Sequence, residues 1–260
     1  MLKISKPNLY LKMFKPTTLK IATVILHYGE PKITKALHHQ LLKDDPQIVQ
    51  NLFVLDNNAP KPYHKSWKRL PKNLYWAGAL EFCLDFFLNK HYDYLWFLNN
   101  DLIFTSKGPI LTKVQTRIAY LEKKLGKVGI YSPSFSFNPY HPQMSRQKEK
   151  GFIKVSYIDG IAPAINLKCY KNINGLDCDN NLYGYGVDIW LSLRTYLQGW
   201  PVIVDQEIEA KHFYHATAKT IGNFLNKAKL QKNTYLRKRL GPNFTTILKK
   251  LQTAIYYETN

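Results

Sequence analysis

Three carboxylates stand at the ends of apolar runs or loops: Asp56 after NLFVL, Asp101 after WFLNN, and Asp188 after YGYGV. At Asp56 a carboxylate can accept from the ring N–H of a nucleobase or from a ribose hydroxyl, and the structural alternative is an Asx-turn onto its own backbone. Asp101 closes a stretch too apolar for a surface strand. A carboxylate there can hold Mg2+ or Mn2+ on a diphosphate, since both cations prefer oxygen ligands and keep phosphate and water in their shell. A metal so placed stabilises the charge that develops on a departing nucleotide; a turn or helix cap is the alternative. Asp188 falls in the first turn of a helix, where the macrodipole favours an acid for structural reasons alone. Gly184 and Gly186 just before it suggest a close backbone approach, and a helix start on such a hinge presents a carboxylate well as a general base. His212 and His215, in AKHFYHAT, can complete a metal shell with Asp101 or bind phosphate when protonated, although either alone is also a common structural histidine.

The elements that must position these groups alternate. KIATVILHY (20–28) is short, rich in β-branched residues and bounded by Gly29 and Pro31, so it reads as a buried strand. A helix over 33–42 follows, then a strand over 49–56 ended by Asn57-Asn58-Ala59-Pro60, a basic loop to Asn73, a helix over 76–88 and a strand over 92–98. This β-α-β order predicts an α/β fold, a doubly wound, mainly parallel mixed sheet flanked by helices, with ligands beyond the carboxyl ends of its strands. Further on, a helix over 110–125, a strand over 127–132, a long loop over 133–151, strands over 154–158 and 162–167, a helix over 189–197 and a three-residue strand over 202–204 are expected. The tail reads as basic and largely helical, broken at Gly241-Pro242. One catalytic domain over 1–217 with a basic helical extension over 218–260 is the economical division.

Composition narrows the setting. With 45% hydrophobic residues, 260 residues support one sizeable core and not two. Three cysteines without metal-ligand spacing favour a reducing compartment. The first twenty residues scatter lysines with no apolar run, so no secretory signal is expected, and no stretch is apolar for long enough to span a membrane. The formal net charge is +19, and no acid occurs in 1–29 or between Ala210 and Tyr257. Such a surface attracts nucleic acid, an anionic leaflet or a phosphorylated glycan, unless it is only a solvated basic face.

In chain order, ATVILHYGE, LFVLDNNAP, NLYWAGALEFCL, YLWFLNND, IDGIAPAINLKCYKNINGLDCD, LYGYGVDIWLSLR and KHFYH together resemble the family 2 glycosyltransferases and their relatives with the GT-A fold, over about residues 20 to 217. What the resemblance implies is an inverting transfer from a nucleoside-diphosphate sugar, UDP- or GDP-linked, to a glycan. Asp188 would be the base. Tyr28, Asp56, Asn73, Gly78, Asn99 and Asn100 would surround the donor. Asp159, Gly160, Tyr185, Gly186 and Trp190 would face the acceptor. Asp101, with His215 or His212, would hold a divalent metal, Mn or Mg. Departures from the pattern are Gly29 for the usual Asn, Asn99 for the motif's first acid, Val187 for a Glu and Trp190 for a second Asp.

Three other readings stand beside this one. A nucleic-acid-binding protein fits the charge, but no groove-reading or base-stacking motif accompanies it, so specific nucleic acid is not an expected partner. A nucleotidyltransferase wants a Gly-rich phosphate loop that HYGEPKIT lacks. A degenerate transferase, binding nucleotide sugar or glycan without catalysis, fits the acids missing at 99, 187 and 190. Basic patches interleaved with Phe213, Tyr214, Phe224 and Tyr235 lead to the expectation of a cytoplasmic protein peripheral to the inner face of an anionic membrane, acting on a lipid-linked, lipopolysaccharide-like acceptor.

Overall fold

The computed structural model describes residues 19–46, 48–147, 151–213, 222–253 and 256–257. In chain order the strands are β1 (Ile21–His27), β2 (Leu52–Asp56), β3 (Lys68–Arg69), β4 (Tyr94–Asn99), β5 (Leu102–Phe104), β6 (Ile130–Phe135), β7 (Phe152–Lys154), β8 (Ala164–Asn166), β9 (Val202–His212) and β10 (Tyr256–Tyr257). The helices are α1 (Pro31–Asp44), α2 (Tyr75–Leu88), α3 (Ile110–Leu125), α4 (Leu167–Asn172), α5 (Val187–Leu197), α6 (Phe224–Leu240) and α7 (Phe244–Thr253). One mixed sheet runs β10-β7-β9-β6-β8-β4-β1-β2-β3, with β5 added beside β9.

The sequence dictates the middle of this sheet directly. Every residue of β1 is buried, as a β-branched run covered on both faces must be. β1 pairs in parallel with β2 on one side and with β4 on the other. The chain leaves β1 through α1 to reach β2, then returns across β1 through α2 to reach β4. Right-handed crossovers in opposite directions put α1 and α2 on opposite faces of the sheet. α3 packs beside α1, and α4 beside α2, so both faces are covered. The direction of winding reverses at β1, and a crevice opens there at the carboxyl ends of β1, β2 and β4.

The second half departs from the expected elements in ways that matter for the site. The expected strand over 49–56 begins with a single 3-10 turn over Val49–Asn51. The strand expected over 154–158 lies earlier, at 152–154, and the one expected over 162–167 ends in α4, capped by the Asn166 side chain on the N–H groups of Lys168 and Cys169. β6 continues through Pro133 to Phe135, because the register with β9 shifts between Pro133 and Ser134 and a proline is tolerated at such an irregularity. β9 extends eleven residues to His212 rather than three. Its polar middle is buried by pairing. Arg117 of α3 donates to both carboxylate oxygens of Asp205 at 2.9 and 3.0 Å, and the Tyr131 hydroxyl donates at 2.9 Å.

The C-terminal helices lie on this body. The α6 residue Tyr235 donates to the Asp177 carbonyl at 2.7 Å, Arg239 pairs with the Asp177 carboxylate at 2.7 Å, and Gln231 accepts the Tyr183 N–H at 2.9 Å. Helix α6 is therefore packed on the 177–186 loop, while α7 meets Tyr157 and Tyr140 through Leu248 and Gln252.

Candidate functional site

A cleft of about 830 Å³ opens at the carboxyl ends of β1, β2 and β4, walled on the far side by the 183–188 segment and by α6. It gathers Tyr28, Asn73, Asn99, Asn100 and Asp101 from the expected donor and metal set. From the acceptor set it gathers Asp159, Gly160, Tyr185 and Gly186, together with Asp188 and His212.

The Asp101 end is built by strand pairing. β5 runs antiparallel to β9 with Leu102 opposite His212, and the Phe213 N–H donates to the Asp101 carbonyl at 2.8 Å. This register brings His212 Nε2 to 3.0 Å from Asp101 Oδ1. Behind them, Asn100 donates from its amide to the Tyr28 carbonyl at 3.2 Å and to Thr34 Oγ1 at 2.9 Å. Thr34 Oγ1 also lies 2.7 Å from His27 Nδ1, whose Nε2 is 2.8 Å from the Lys61 carbonyl. A carbonyl can only accept, so His27 carries its proton on Nε2, accepts from Thr34 at Nδ1, and leaves the Thr34 oxygen to accept from Asn100. Asn100 thus ties the end of β4 to β1 and α1 and fixes the turn that carries Asp101.

A carboxylate oxygen and an imidazole nitrogen side by side suit Mn2+ or Mg2+ as two protein ligands, with phosphate and water completing the shell. Among the described residues no group of three or more His, Cys, Asp or Glu is placed to hold a metal. His215 lies outside the described residues.

The Asp188 end is built by close approach. Gly186, at φ 85°, caps α5, and Asp188 sits in the helix's first turn with Oδ2 accepting the Gly160 N–H at 2.8 Å. Burial is the largest influence on this carboxyl, and the nearby Asp159 carboxylate adds to it. Together they push its pKa up to about 6 against Lys232 and the N–H groups of Ile189 and Gly160. Tyr185 stands among Asp159, Asp188 and Asp101, and burial first, then those charges, push its hydroxyl up to about 12, so it is a neutral O–H donor near pH 7. A Cβ on Gly160 would lie 2.5 Å from the Trp76 ring, so only glycine lets that indole lie against the 159–161 turn. The close approach expected at Gly184 and Gly186 is made to the protein itself, to Ala77 of α2 and to Leu236 of α6.

Three expected residues are placed away from the cleft. Asp56 is fully buried: Oδ1 accepts the Ala59 N–H at 2.8 Å, and Oδ2 accepts from Arg69 at 2.8 Å and from the Tyr63 N–H at 3.2 Å. Its carboxylate is spent on the turn and on an ion pair, and contact with a base or ribose is corrected to that structural role. Gly78 sits within α2, where an added Cβ would press on Leu74 at 3.0 Å, and it does not reach the cleft. Trp190 points to the other side of α5, its indole N–H donating to Asp177 at 2.8 Å, so it is corrected from an acceptor contact to a tie between α5 and the 177–179 loop.

Other residues, not expected at the site from the sequence, also line the cleft. Asn57, next to Asp56, donates to Asn73 Oδ1 and accepts the Leu74 N–H, both at 2.9 Å, and so fixes the start of α2. Tyr75 stacks on Phe224 with ring centroids 6.0 Å apart, and Tyr183 meets both rings edge-on. His141 is buried in the cleft wall with its pKa lowered, chiefly by burial, and Lys229 and Lys232 of α6 complete the lining.

No protein-family model matches the chain. Curated relatives include uncharacterised proteins of Mycobacterium bovis and Mycobacterium tuberculosis, 24% identical over 219 residues, a match covering 80% of this chain and 79% of theirs. Among solved structures the chain is similar to GalNAc-T7 with UDP, GalNAc and Mn2+, at a TM-score of 0.61 and 11% identity over 92% of this chain. The chain spans 55% of that protein's length. It is also similar to a mannosyltransferase from Pyrobaculum calidifontis in complex with GDP-Man and Mn2+, at a TM-score of 0.59 and 13% identity, covering 90% of this chain and 69% of that one. With a mixed sheet flanked by helices on both faces and a crevice at the strand ends, the chain has the GT-A-type fold of these glycosyltransferases.

Proposed function

We propose that this chain is an inverting glycosyltransferase that moves a sugar from a nucleoside-diphosphate donor to a hydroxyl of a glycan acceptor, akin to family 2. The observation that carries the reading is Asp188, anchored on the Gly160 N–H within a cleft that also holds the Asp101–His212 pair. The two neighbours of like fold were solved with UDP or GDP-Man and Mn2+, which supports a nucleotide donor and a divalent metal here.

In this reading Asn73 and Tyr28 border the donor. A divalent metal held by Asp101 and His212 would neutralise charge on the diphosphate. Asp188, with a pKa near 6, is deprotonated at neutral pH and basic enough to take the acceptor's hydroxyl proton. The acceptor oxygen then bonds to the anomeric carbon as the bond from that carbon to the phosphate oxygen breaks, and the nucleoside diphosphate leaves from the opposite side. The aromatic rings of Tyr75, Tyr183 and Phe224 give sugars apolar faces to lie against.

Exposed basic residues on α6 and α7, including Lys227, Lys238 and Lys249, are suited to an anionic leaflet, and we extend the reading to a lipid-linked acceptor presented there. No described helix is long and apolar enough to cross a membrane. Sedimentation with anionic but not neutral vesicles at low salt is the expected result, and equal recovery with both removes the membrane part of the reading.

The deciding experiment is thermal stabilisation by UDP, GDP and CMP, each with and without Mn2+. A shift selective for one nucleotide and enhanced by Mn2+ is expected. No shift with any of them overturns the donor site.

A further inference from the structure

Helix α6 brings to the cleft a charge that the transfer itself does not use. Lys229 and Lys232 both line it, and their spacing puts them on one face of the helix. The acids that α6 meets are already taken, since Asp179 pairs with Lys238 and Asp177 with Arg239, each at 2.7 Å. Among the described residues no ion pair or hydrogen bond engages the ammonium of Lys229 or Lys232. The Lys232 stem is pinned: a Cβ on Gly186 would lie 3.2 Å from its Cγ, which sets the chain of this lysine against the N-terminus of α5. From there its charge acts on Asp188 and on His141. Lys232 therefore stands beside the base, with Lys229 one turn away on the same helix face, whereas the groups suited to a metal on the donor's diphosphate are Asp101, in the turn after β4, and His212 of β9.

Two lysines lining one cleft leave positive charge at its rim that an anionic ligand can meet. We infer that the acceptor is an acidic sugar whose phosphate or carboxylate is held by Lys229 and Lys232 while its hydroxyl meets Asp188. Lysine acts on such a group as a point charge and takes either anion, where a planar guanidinium would select a bidentate one. The inference rests on the transferase reading for the identity of Asp188 as base, but the anion site itself is readable without turnover.

The test is calorimetric titration of the full chain with glucose, glucose 6-phosphate and glucuronate, with saturating nucleotide and Mn2+, repeated without them. The same titrations are made on the Lys229→Gln/Lys232→Gln double variant. The acidic sugars are expected to bind about tenfold or more tightly than glucose, the two anions being compared directly. That advantage falls as salt rises and disappears in the double variant, which still binds nucleotide as the unaltered chain does. Equal binding of all three sugars, or no binding of any, overturns the inference. So does loss of nucleotide affinity in the double variant, which assigns the lysines to the donor's diphosphate. A preference for acidic sugars in a chain that takes no nucleotide keeps the anion site and removes the transferase reading.

Discussion

His212 Nε2 and Asp101 Oδ1 lie 3.0 Å apart although 111 residues separate them in sequence. The antiparallel pairing of β5 with β9 makes the contact, so the two partners reach it from distant parts of the chain. Each therefore serves as an independent probe of the same site.

Asp101→Asn and His212→Ala should each reduce the part of nucleotide stabilisation that depends on Mn2+. A ligand at a hundred times its dissociation constant stabilises by about 2.7 kcal/mol, so loss of most of the metal's effect is measurable as a melting shift. The nucleotide shift without metal should change little. An unaltered Mn2+ effect in both variants would take the metal away from this pair.

Asp188→Asn keeps the acceptor of the Gly160 N–H and removes the proton acceptor. Its kcat should fall by about 10²- to 10⁴-fold with nucleotide binding retained. In the unaltered chain, kcat/KM should rise with pH through about 6 and then level, because the base must be unprotonated. The stability effect has the opposite direction. The folded pKa lies above the ordinary carboxyl value of 3.8, so the native state holds the extra proton and loses stability as pH rises from about 4 to about 6. Above that window Asp188→Asn should be more stable than the unaltered chain, because the buried amide carries no charge. Chemical denaturation of both chains at pH 4 and pH 7.5 checks the sign.

Much of this architecture was legible because its determinants are local. The buried runs of β1 and β4 and the helical spacing of α3 appear where periodicity puts them. The sequence shows only the apolar start of β9, Val202 to Val204, because the polar run Asp205-Gln206-Glu207 follows. The partners that let Asp205 and Gln206 be buried, Arg117, Tyr131 and the Gln147 N–H, are 59 to 88 residues away. The same distance hid the fate of Asp56. Its turn onto Ala59 is local, but the Arg69 pair that closes it off comes from β3, a strand of two exposed residues with no pattern to announce it. Asp101 and Asp188 do line the cleft, since a strand end and a helix start fix their direction. Lys229 and Lys232 did not stand out, because in sequence they are two among many lysines and only the docking of α6 selects them.

The Arg117–Asp205 pair lends itself to a prediction separate from catalysis. Asp205 is fully buried, and among the described residues Arg117→Met leaves its carboxylate with the Tyr131 hydroxyl and the Glu207 N–H as side-chain and backbone donors. Breaking one side of such a pair costs about 3–5 kcal/mol, here at the low end because those two donors remain. Urea titration should show the midpoint falling with an unchanged slope. Because β9 carries His212 beyond this point, the Mn2+ effect on nucleotide binding should weaken as well.

Gly160 joins the two halves of the site, since its N–H holds Asp188 and its bare Cα lies against Trp76. Gly160→Ala brings a methyl to within 2.5 Å of the Trp76 ring carbon, closer than carbon atoms can pack, and Trp76 is the opening turn of α2. Either the indole or the 159–161 turn must move, and the turn carries the N–H that orients the base. Overpacking of this kind costs about 1–3 kcal/mol of stability. The larger effect should be on turnover: kcat should fall by about tenfold or more while nucleotide affinity, set at the Asp101 end, stays within about twofold, since small misplacement of a reacting group is expensive. The double variant Gly160→Ala/Trp76→Leu provides the control. Removing the ring relieves the clash, so if the clash is the cause, kcat should recover toward that of the unaltered chain, with the pH profile keeping the midpoint near 6 that the buried Asp188 carboxyl implies.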